Sequence, residues 1–245
     1  MGVLTIGLDI LRILAEADGP LTATAIAERV GLHVSNVSRT LRVLAEHGYV
    51  RKPTYHSFAP DLGVLALAGA AVSRLPVIAA TAEVVVAAAR SSGLQATLAA
   101  LHRDQVLYLH RSSPEGSVVS GVAGGFPLHR SVVGLRLLLD LPEDRALAAL
   151  AAAGRRQGWD RPTPATPADP AACLEAARRR LRGGVLRTDH WDEPDRIAAA
   201  VAVTLPDRPP MAVALNGPAG AGARELTQTL TTFAADIATR LGVVP

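Results

Sequence analysis

Several features that would mark particular classes of protein are scarce or absent in this 245-residue sequence. Cys173 is the single cysteine, so no internal disulfide can form, and a reducing compartment is expected. The longest apolar run, residues 62–72, is too short to span a membrane, and Arg74 and Pro76 follow it. The first residues lack a basic segment and carry Asp9 within their apolar run, which argues against a signal peptide. These absences predict a cytoplasmic protein without membrane association.

Motifs of catalysis and metal binding are missing as well. The sequence contains no G-x-S-x-G, no H-E-x-x-H and no pair of cysteines. His102, His110, His129 and His190 are scattered without the spacing of metal ligands. The glycine-rich segment NGPAGAG, residues 216–222, lacks the following strand and crossover that a nucleotide site needs, so it is interpreted as a turn. We therefore expect no catalytic residue, no metal, no cofactor and no enzymatic activity.

Apolar residues and arginine, by contrast, are abundant. Hydrophobic residues make up 49% of the chain and charged residues 19%, a composition typical of globular proteins. Lys52 is the only lysine, so arginine supplies nearly all of the basic charge. A net charge of +3 and an isoelectric point near 9.6 are weak evidence for a polyanionic partner. Such a partner is indicated by where the basic residues lie, and not by their total number. The basic run at residues 178–182 is interpreted as a solvated helix end, where the helix dipole favours cations.

The segment from residue 21 to residue 52 predicts two short helices joined by a glycine turn. Thr22 is a plausible N-cap for a helix over residues 23–30, and Gly31 fits a left-handed C-terminal stop. A second helix is expected from about residue 34 to residue 47. Two short strands, with a turn at Pro53–Thr54, would then form a wing. This order is that of a winged helix-turn-helix, whose second helix can enter the DNA major groove.

The second helix of this segment has two different faces. Its apolar residues step by three, four and three positions, which predicts one buried face made of Val34, Val37, Leu41 and Leu44. The opposite face and the hairpin carry side chains that can bond base edges or phosphates. The candidate DNA-binding residues are Thr22, Thr24, Ser35, Asn36, Ser38, Arg39, Arg42, Arg51, Lys52 and His56. Taken singly, these could be ordinary solvated side chains, but their combined order favours double-stranded DNA as a partner.

The rest of the chain predicts a helical stretch followed by a mixed domain. Residues 94–101 and 105–110 are strand-like and flank the turn HRD, which is typical of a hairpin. Asp169 followed by Pro170 is a favoured helix start, and Gly183–Gly184 is expected to end that helix. Helices are predicted near 5–17, 61–74, 77–91, 130–139, 143–153 and 223–241, and further strands at 117–122, 197–205 and 210–216.

At this point the sequence resembles the IclR-type bacterial transcription regulators. Residues 8–50 look like their winged helix-turn-helix, and GGFPLHRSVVGLRLLLDLPED at 124–144 is similar to a conserved segment of their second domain. Residues 162–185 and the strand pair 195–218 resemble further parts of that domain. The resemblance implies an α+β fold with a GAF-like effector-binding domain and assembly into a homodimer or homotetramer. The implied domains are a winged helix-turn-helix at 1–60, a helical linker carrying dimerisation at 61–91, and the effector domain at 92–245.

The resemblance also implies a small-molecule site in the second domain. Carried over position by position, the candidate effector-binding residues are His129, Ser131, Val132, Val133, Asp189, Ala214 and Asn216. Leu135 stands where relatives usually have lysine, and Ala214 offers a methyl group where they often offer a hydroxyl. A shortened acidic loop leaves the equivalent of the family's acidic residue open between Asp189 and Glu193.

These departures predict a pocket with few donors, and therefore an effector more apolar than a small organic acid. Two other interpretations stay open, namely that the valines are simply core residues and that His129 has a structural role. Trp191 is a further residue that could line the site. The function implied is sequence-specific transcription regulation, for example repression, with operator binding modulated by the effector. The alternative is a regulator whose C-terminal domain only holds the oligomer together.

Overall fold

A computed structural model describes residues 2–102, 105–116, 118–123, 126–206, 208–219 and 223–242. The chain divides into two compact units between Arg74 and Leu75. The two consecutive helices expected to form the linker therefore fall one in each unit. The three-part division at residues 60 and 91 stays a prediction.

The N-terminal unit is a small bundle of helices with a short antiparallel sheet. Its elements are α1 (Val3–Ala15), β1 (Leu21–Thr22), α2 (Ala23–Val30), α3 (Val34–Glu46), β2 (Val50–Thr54), β3 (Ser57–Pro60) and α4 (Leu62–Arg74). The sheet order is β1-β3-β2. Ile10, Ile26, Val37, Leu41 and Phe58 meet in its core, so one face of each of α1, α2 and α3 packs against the others.

Local sequence signals set the ends of the helices in this unit. The Thr22 hydroxyl accepts a hydrogen bond from the N–H of Ala25 at 3.2 Å, which caps α2 as predicted. Gly31 follows α2 with a φ of 73°, a left-handed conformation that glycine adopts without steric cost. The turn predicted at Pro53–Thr54 is wrong, because both residues extend β2. The chain reverses at residues 55 and 56, between Thr54 and Ser57, which pair with each other.

The C-terminal unit is built on one antiparallel sheet of seven strands in the order β6-β5-β4-β10-β9-β8-β7 within the described residues. Its strands are β4 (Gln95–His102), β5 (Gln105–Ser112), β6 (Val118–Ala123), β7 (Leu181–Arg182), β8 (Val185–Arg187), β9 (Arg196–Val203) and β10 (Met211–Pro218). Its helices are α5 (Pro76–Ser92), α6 (Val132–Leu138), α7 (Glu143–Gln157), α8 (Pro170–Arg180) and α9 (Ala223–Arg240). The strand pairs and helices predicted from the sequence are thus present, in an α+β fold.

The sheet separates two hydrophobic cores. Helices α5 and α9 cover one face, where Val85, Leu98, Val213 and Phe233 pack together. Helix α6 packs on the other face, where Leu135 and its neighbours join residues of α7 and α8. Side chains alternate along each strand, so the central strands β4, β9 and β10 contribute residues to both cores.

Two predicted boundaries in this unit differ from the structure. The helix after the proline-rich segment starts as expected, because the Asp169 carboxylate accepts from the N–H of Ala172 at 2.9 Å. It ends earlier than expected, at Arg180, and Gly183–Gly184 forms the turn between β7 and β8. Both glycines have positive φ, which explains their place in this tight hairpin. The helix predicted from residue 130 begins only at Val132, after a 3-10 turn at Leu128–Arg130.

Some predicted features lie outside the described residues. These are Arg103 and Asp104 of the HRD turn, Ser117 of the third strand, and residues 220–222 of the glycine-rich segment. Within the described ranges, no single helix is both long and apolar enough to cross a membrane. Only α4 and α5 taken as a pair reach that length and composition.

Candidate functional sites

Helix α3 presents a polar face to solvent. Val37 and Leu41 are fully buried beneath it, whereas Ser35, Asn36, Arg39 and Arg42 are exposed and Ser38 is half-buried. Val34, expected on the buried face, is 37% exposed, so the anchoring stripe is shorter than predicted. The helix therefore shows the separation of apolar and donor-rich faces that its sequence predicts.

The arginines on this face are not neutralised. Among the described residues, neither Arg39 nor Arg42 has an ion-pair partner. Arg12 of α1, in contrast, lies 3.6 Å from the Asp9 carboxylate and 3.7 Å from that of Glu16. The guanidinium groups of α3 can therefore bond an external anion without giving up an existing partner.

The β2–β3 hairpin, which follows α3 in the sequence, carries further basic residues. Arg51, Lys52 and His56 are all exposed, and the Lys52 ammonium lies 5.2 Å from the centre of the Phe58 ring. Tyr55 at the hairpin turn is 87% exposed and contacts His56 edge to face at 4.7 Å. Sequence reasoning did not select Tyr55, although an aromatic residue inside a basic hairpin is a readable signal.

The two threonines at the start of α2 are both exposed. The Thr22 hydroxyl already caps α2, whereas Thr24, the second residue of the helix, is exposed to solvent. Both lie at a helix N-terminus, where backbone N–H groups and the dipole favour anions. Their assignment to DNA contact stays a prediction.

A cavity of about 180 Å³ lies on the α6 side of the seven-stranded sheet. Among the predicted effector residues, Ser131, Val132, Val133, Ala214 and Asn216 line it. The remaining lining residues are Gln95, Thr97, Tyr108, Arg111, Phe126, Arg130, Thr188, Asp192, Glu193, Arg196 and Ala198. The structure thus brings together two predicted segments, 131–133 and 214–216, which are eighty residues apart in the sequence.

The other two predicted effector residues lie outside this lining. His129 is only 2% exposed, stacks on Trp159 with ring centres 4.3 Å apart, and its Nε2 lies 2.8 Å from the Asp160 carbonyl oxygen. The Asp189 carboxylate accepts hydrogen bonds from Arg187 at 2.9 Å and from the N–H of Ala198 at 3.3 Å.

Trp191, also considered for the site, is 1% exposed and packs in the core. In the described structure none of these three side chains lines the cavity.

The expectation of few hydrogen-bond donors in the cavity is wrong. Arg111, Arg130 and Arg196 all line it, together with amides and hydroxyls. Each arginine comes from a different element: β5, the 3-10 turn and β9. No local pattern in the sequence brings these positions together. The prediction of an apolar pocket, which was based on the two valines and Ala214, therefore did not include them.

An irregularity in β5 aims one of these arginines into the cavity. Ala99 of β4 pairs with Tyr108, while Thr97 pairs with Arg111, so β5 has one extra residue between them. Thr97 and Ala99 are two positions apart and share a face, and therefore Tyr108 and Arg111 share it as well. The Arg111 guanidinium accordingly lies 4.6 Å from the centre of the Tyr108 ring.

The hydroxyl end of Tyr108 is held in place by Ser131. Its hydroxyl lies 2.8 Å from that of Ser131, which also caps α6 by accepting from the N–H of Gly134 at 3.2 Å. Burial raises the pKa of Tyr108, against the opposing effects of Ser131 and Arg111. The side chain is thus a neutral phenol that offers Arg111 a rigid surface.

The other two arginines are held by the protein's own acids. Arg130 lies 2.5 Å from the Asp192 carboxylate, and it also pairs with Asp160. Arg196 lies 3.4 Å from Glu193 and donates to the Asn216 side-chain oxygen at 3.1 Å. These contacts connect β9 and the loop before it to the rest of the cavity wall.

The two units match two parts of one protein family. Residues 3–53 match the IclR helix-turn-helix domain, and residues 69–241 match the C-terminal domain of the bacterial transcriptional regulator IclR. The chain belongs to the IclR family. The first match contains every predicted DNA-binding residue except His56, and the second contains the entire cavity lining. The resemblance noted in the sequence is therefore confirmed.

Solved structures of IclR proteins share this fold over their whole length. An IclR family transcriptional regulator from Brucella abortus is 23% identical, with 100% of this chain and 93% of that one covered and a TM-score of 0.76. A putative IclR regulator from Silicibacter sp. is 21% identical over 99% and 97%, with a TM-score of 0.72. An IclR homolog from Microbacterium hydrocarbonoxydans, complexed with 4-hydroxybenzoate, is 21% identical over 98% and 99%, with a TM-score of 0.64.

As an IclR-family transcriptional regulator, the chain combines a DNA-binding helix-turn-helix with a C-terminal effector domain. Within the ranges that the structure describes, no group of three or more acidic, histidine or cysteine side chains could hold a metal ion. Cys173 is buried, and burial raises the pKa of its thiol to about 12. A thiol with that pKa is protonated at neutral pH and unreactive as a nucleophile.

Proposed function

We propose that this IclR-family chain regulates transcription by binding a specific DNA operator, and that a small-molecule effector modulates this binding. The observation that supports the DNA half is the exposed face of α3. Beside hydroxyl and amide groups it carries two arginines that have no carboxylate partner among the residues that the structure describes. Such a face suits a polyanion with readable base edges.

The residues of the N-terminal unit divide into two roles. Asn36, Arg39 and Ser38 present donors and acceptors of the kind that read bases in the major groove. Arg42, Arg51, Lys52 and His56, with Thr22 and Thr24 at the start of α2, bind phosphate and so fix the register of the helix.

The cavity on the α6 side of the sheet is the proposed effector site. It is lined by both apolar and hydrogen-bonding groups, as small-molecule sites usually are. The complex of the Microbacterium homolog with 4-hydroxybenzoate supports a small organic ligand for this fold. Ser131, Val132, Val133, Ala214 and Asn216 contact the ligand, whereas His129 and Asp189 lie outside the lining.

The active form is a homodimer or homotetramer. Symmetric copies of α3 bind symmetric half-sites, so the operator is pseudo-palindromic. Half-site centres are then separated by one helical turn of DNA, roughly 34 Å, or by a multiple of it.

Selection of bound DNA from random oligonucleotides, followed by gel-shift titration, tests this function. The expected result is an inverted repeat whose affinity changes when a metabolite extract is added. Recovery of sequences without any common motif would contradict operator binding. A motif whose affinity no extract alters would instead favour a C-terminal domain that only maintains the oligomer.

A further inference from the structure

We propose that the cavity binds an organic anion with a single negative charge, and that Arg111 is the residue that selects it. This inference rests on the proposed effector function of the same cavity. It adds the charge of the ligand and the side chain that recognises that charge.

The charges of the lining support a monoanion. Among the described residues, three arginines and two carboxylates line the cavity, so its formal charge is +1. Asp192 neutralises Arg130, with help from Asp160 behind it, and Glu193 lies beside Arg196. One of the three lining arginines is left without a carboxylate within 4 Å among the described residues, and a single anionic group on the ligand would pair with it.

Arg111 carries that remaining charge. In the part of the chain that the structure describes, Arg111 has no carboxylate within 4 Å, and its guanidinium lies over the face of the Tyr108 ring. Stacking restrains a guanidinium plane while leaving its N–H groups free along the edge, which is the geometry that binds a carboxylate with two hydrogen bonds. The side chain is half-buried, so such a bond is less screened than one at the surface.

The same lining argues against other ligand charges. A second negative group would meet Asp192 or Glu193, or would have to displace them from their arginines. A neutral ligand would leave the Arg111 charge unbalanced in a partly dehydrated site. The apolar surface of Tyr108, Val132 and Ala214 suits a hydrocarbon body, so the anion is an organic one.

Isothermal titration with matched probe series tests this proposal. The aromatic series is benzoate, its neutral amide benzamide, and the dianion phthalate, and the aliphatic series is butyrate, butyramide and succinate. The full-length protein is compared with its Arg111→Gln and Arg111→Lys variants. Arg178→Gln, which removes the same charge from an exposed site in α8, is the control.

The expected result is that the monocarboxylate of at least one series binds wild-type protein more tightly than its amide and its dianion. Arg111→Gln should weaken that binding by about ten- to a hundredfold, since a charge-assisted hydrogen bond is lost. Arg111→Lys should recover part of it, and the control variant should bind as wild type does. A near-ultraviolet spectrum that is unchanged in Arg111→Gln shows that the cavity remains folded.

Three outcomes would overturn the proposal. They are tighter binding of the amide or the dianion, equal binding by wild type and Arg111→Gln, and no binding in either series. Operator binding of the same samples is measured in parallel by gel shift. If the ligand-free protein binds its operator but no monocarboxylate, only the ligand assignment is rejected. If the ligand-free protein binds no operator, the proposed function is rejected.

Discussion

Arg39 differs from Arg12 of the same unit in what surrounds it, and this difference can be measured. It is exposed on α3 without an ion-pair partner among the described residues, whereas Arg12 is paired twice on α1. We expect Arg39→Ala to weaken operator binding by about 1–3 kcal/mol and to relax the base preference at one position. Fluorescence anisotropy with wild-type and base-substituted operators measures both effects. Arg12→Ala is the matched control and should change affinity little, since exposed pairs contribute little.

Lys52 should behave differently, because its ammonium lies on the hairpin and not on α3. Lys52→Ala should weaken binding by a similar factor for all DNA sequences. It should also reduce the slope of log affinity against log salt concentration by about one, as expected when one phosphate contact is lost. A sequence-dependent loss at constant salt slope would instead assign Lys52 to base reading.

Two buried histidines make stability depend on pH. Desolvation lowers the pKa of His110, against a hydrogen bond with the Ile78 carbonyl oxygen, and it likewise lowers the pKa of His129. The folded protein therefore holds these protons more weakly than the unfolded chain, whose histidines titrate near the ordinary value of 6.5. The stabilisation that this provides is complete above that value and is lost as the pH falls below it.

Urea unfolding between pH 8 and pH 5 checks this prediction. The free energy of unfolding of the wild type should fall with decreasing pH, and His110→Gln should show a shallower fall. A lost packing contact would lower stability equally at every pH, so the slope separates titration from packing. Identical slopes for wild type and variant would contradict the assignment.

At the scale of elements, the first turn of α4 lies unusually close to the turn after α3. The N–H of Gly63 donates to the Gly48 carbonyl oxygen at 2.9 Å, and a Cβ on Gly63 would lie 2.5 Å from that same oxygen. Since backbone cannot move aside as a side chain can, Gly63→Ala should destabilise the N-terminal unit by about 1–3 kcal/mol.

Gly69 of the same helix provides the control for this substitution. A Cβ there meets nothing within 4 Å, so Gly69→Ala should stabilise the helix by about 0.5–1 kcal/mol. Thermal unfolding of both variants gives the comparison. Equal effects from the two substitutions would show that helix propensity, and not the close approach to Gly48, decides stability here.

Elements were predictable from the sequence where their signals are local. The Thr22 cap, the Gly31 stop and the Asp169–Pro170 start each depend on a few neighbouring residues, and the structure shows all three. The extra residue in β5 was not predictable, because only pairing with β4 defines it. Gly183–Gly184 shows the intermediate case: the pair was expected to end the helix, whereas it forms the turn of a short hairpin that depends on pairing of β8 with β9.

At the scale of the whole molecule, the cavity shows why its chemistry was mispredicted. Val132, Val133 and Ala214, which the resemblance assigns to the effector site, line the cavity, and they are apolar. Of the three lining arginines, Arg111 and Arg196 reach the cavity through strand register and not through any nearby motif. The resemblance therefore indicated part of the lining, while the charged groups of the cavity depend on long-range contacts.

Coupling between effector and operator gives a prediction about the complete protein. Whatever factor an effector applies to operator affinity, the operator must apply to effector affinity, because both measure the same coupling free energy. A monocarboxylate that weakens operator binding tenfold should thus bind tenfold more weakly to the operator complex. Calorimetric titration with and without saturating operator measures one factor, and anisotropy with and without saturating ligand measures the other. A ligand that occupies the cavity yet leaves operator affinity unchanged would show that the C-terminal unit serves assembly alone, since a ligand without differential affinity shifts no equilibrium.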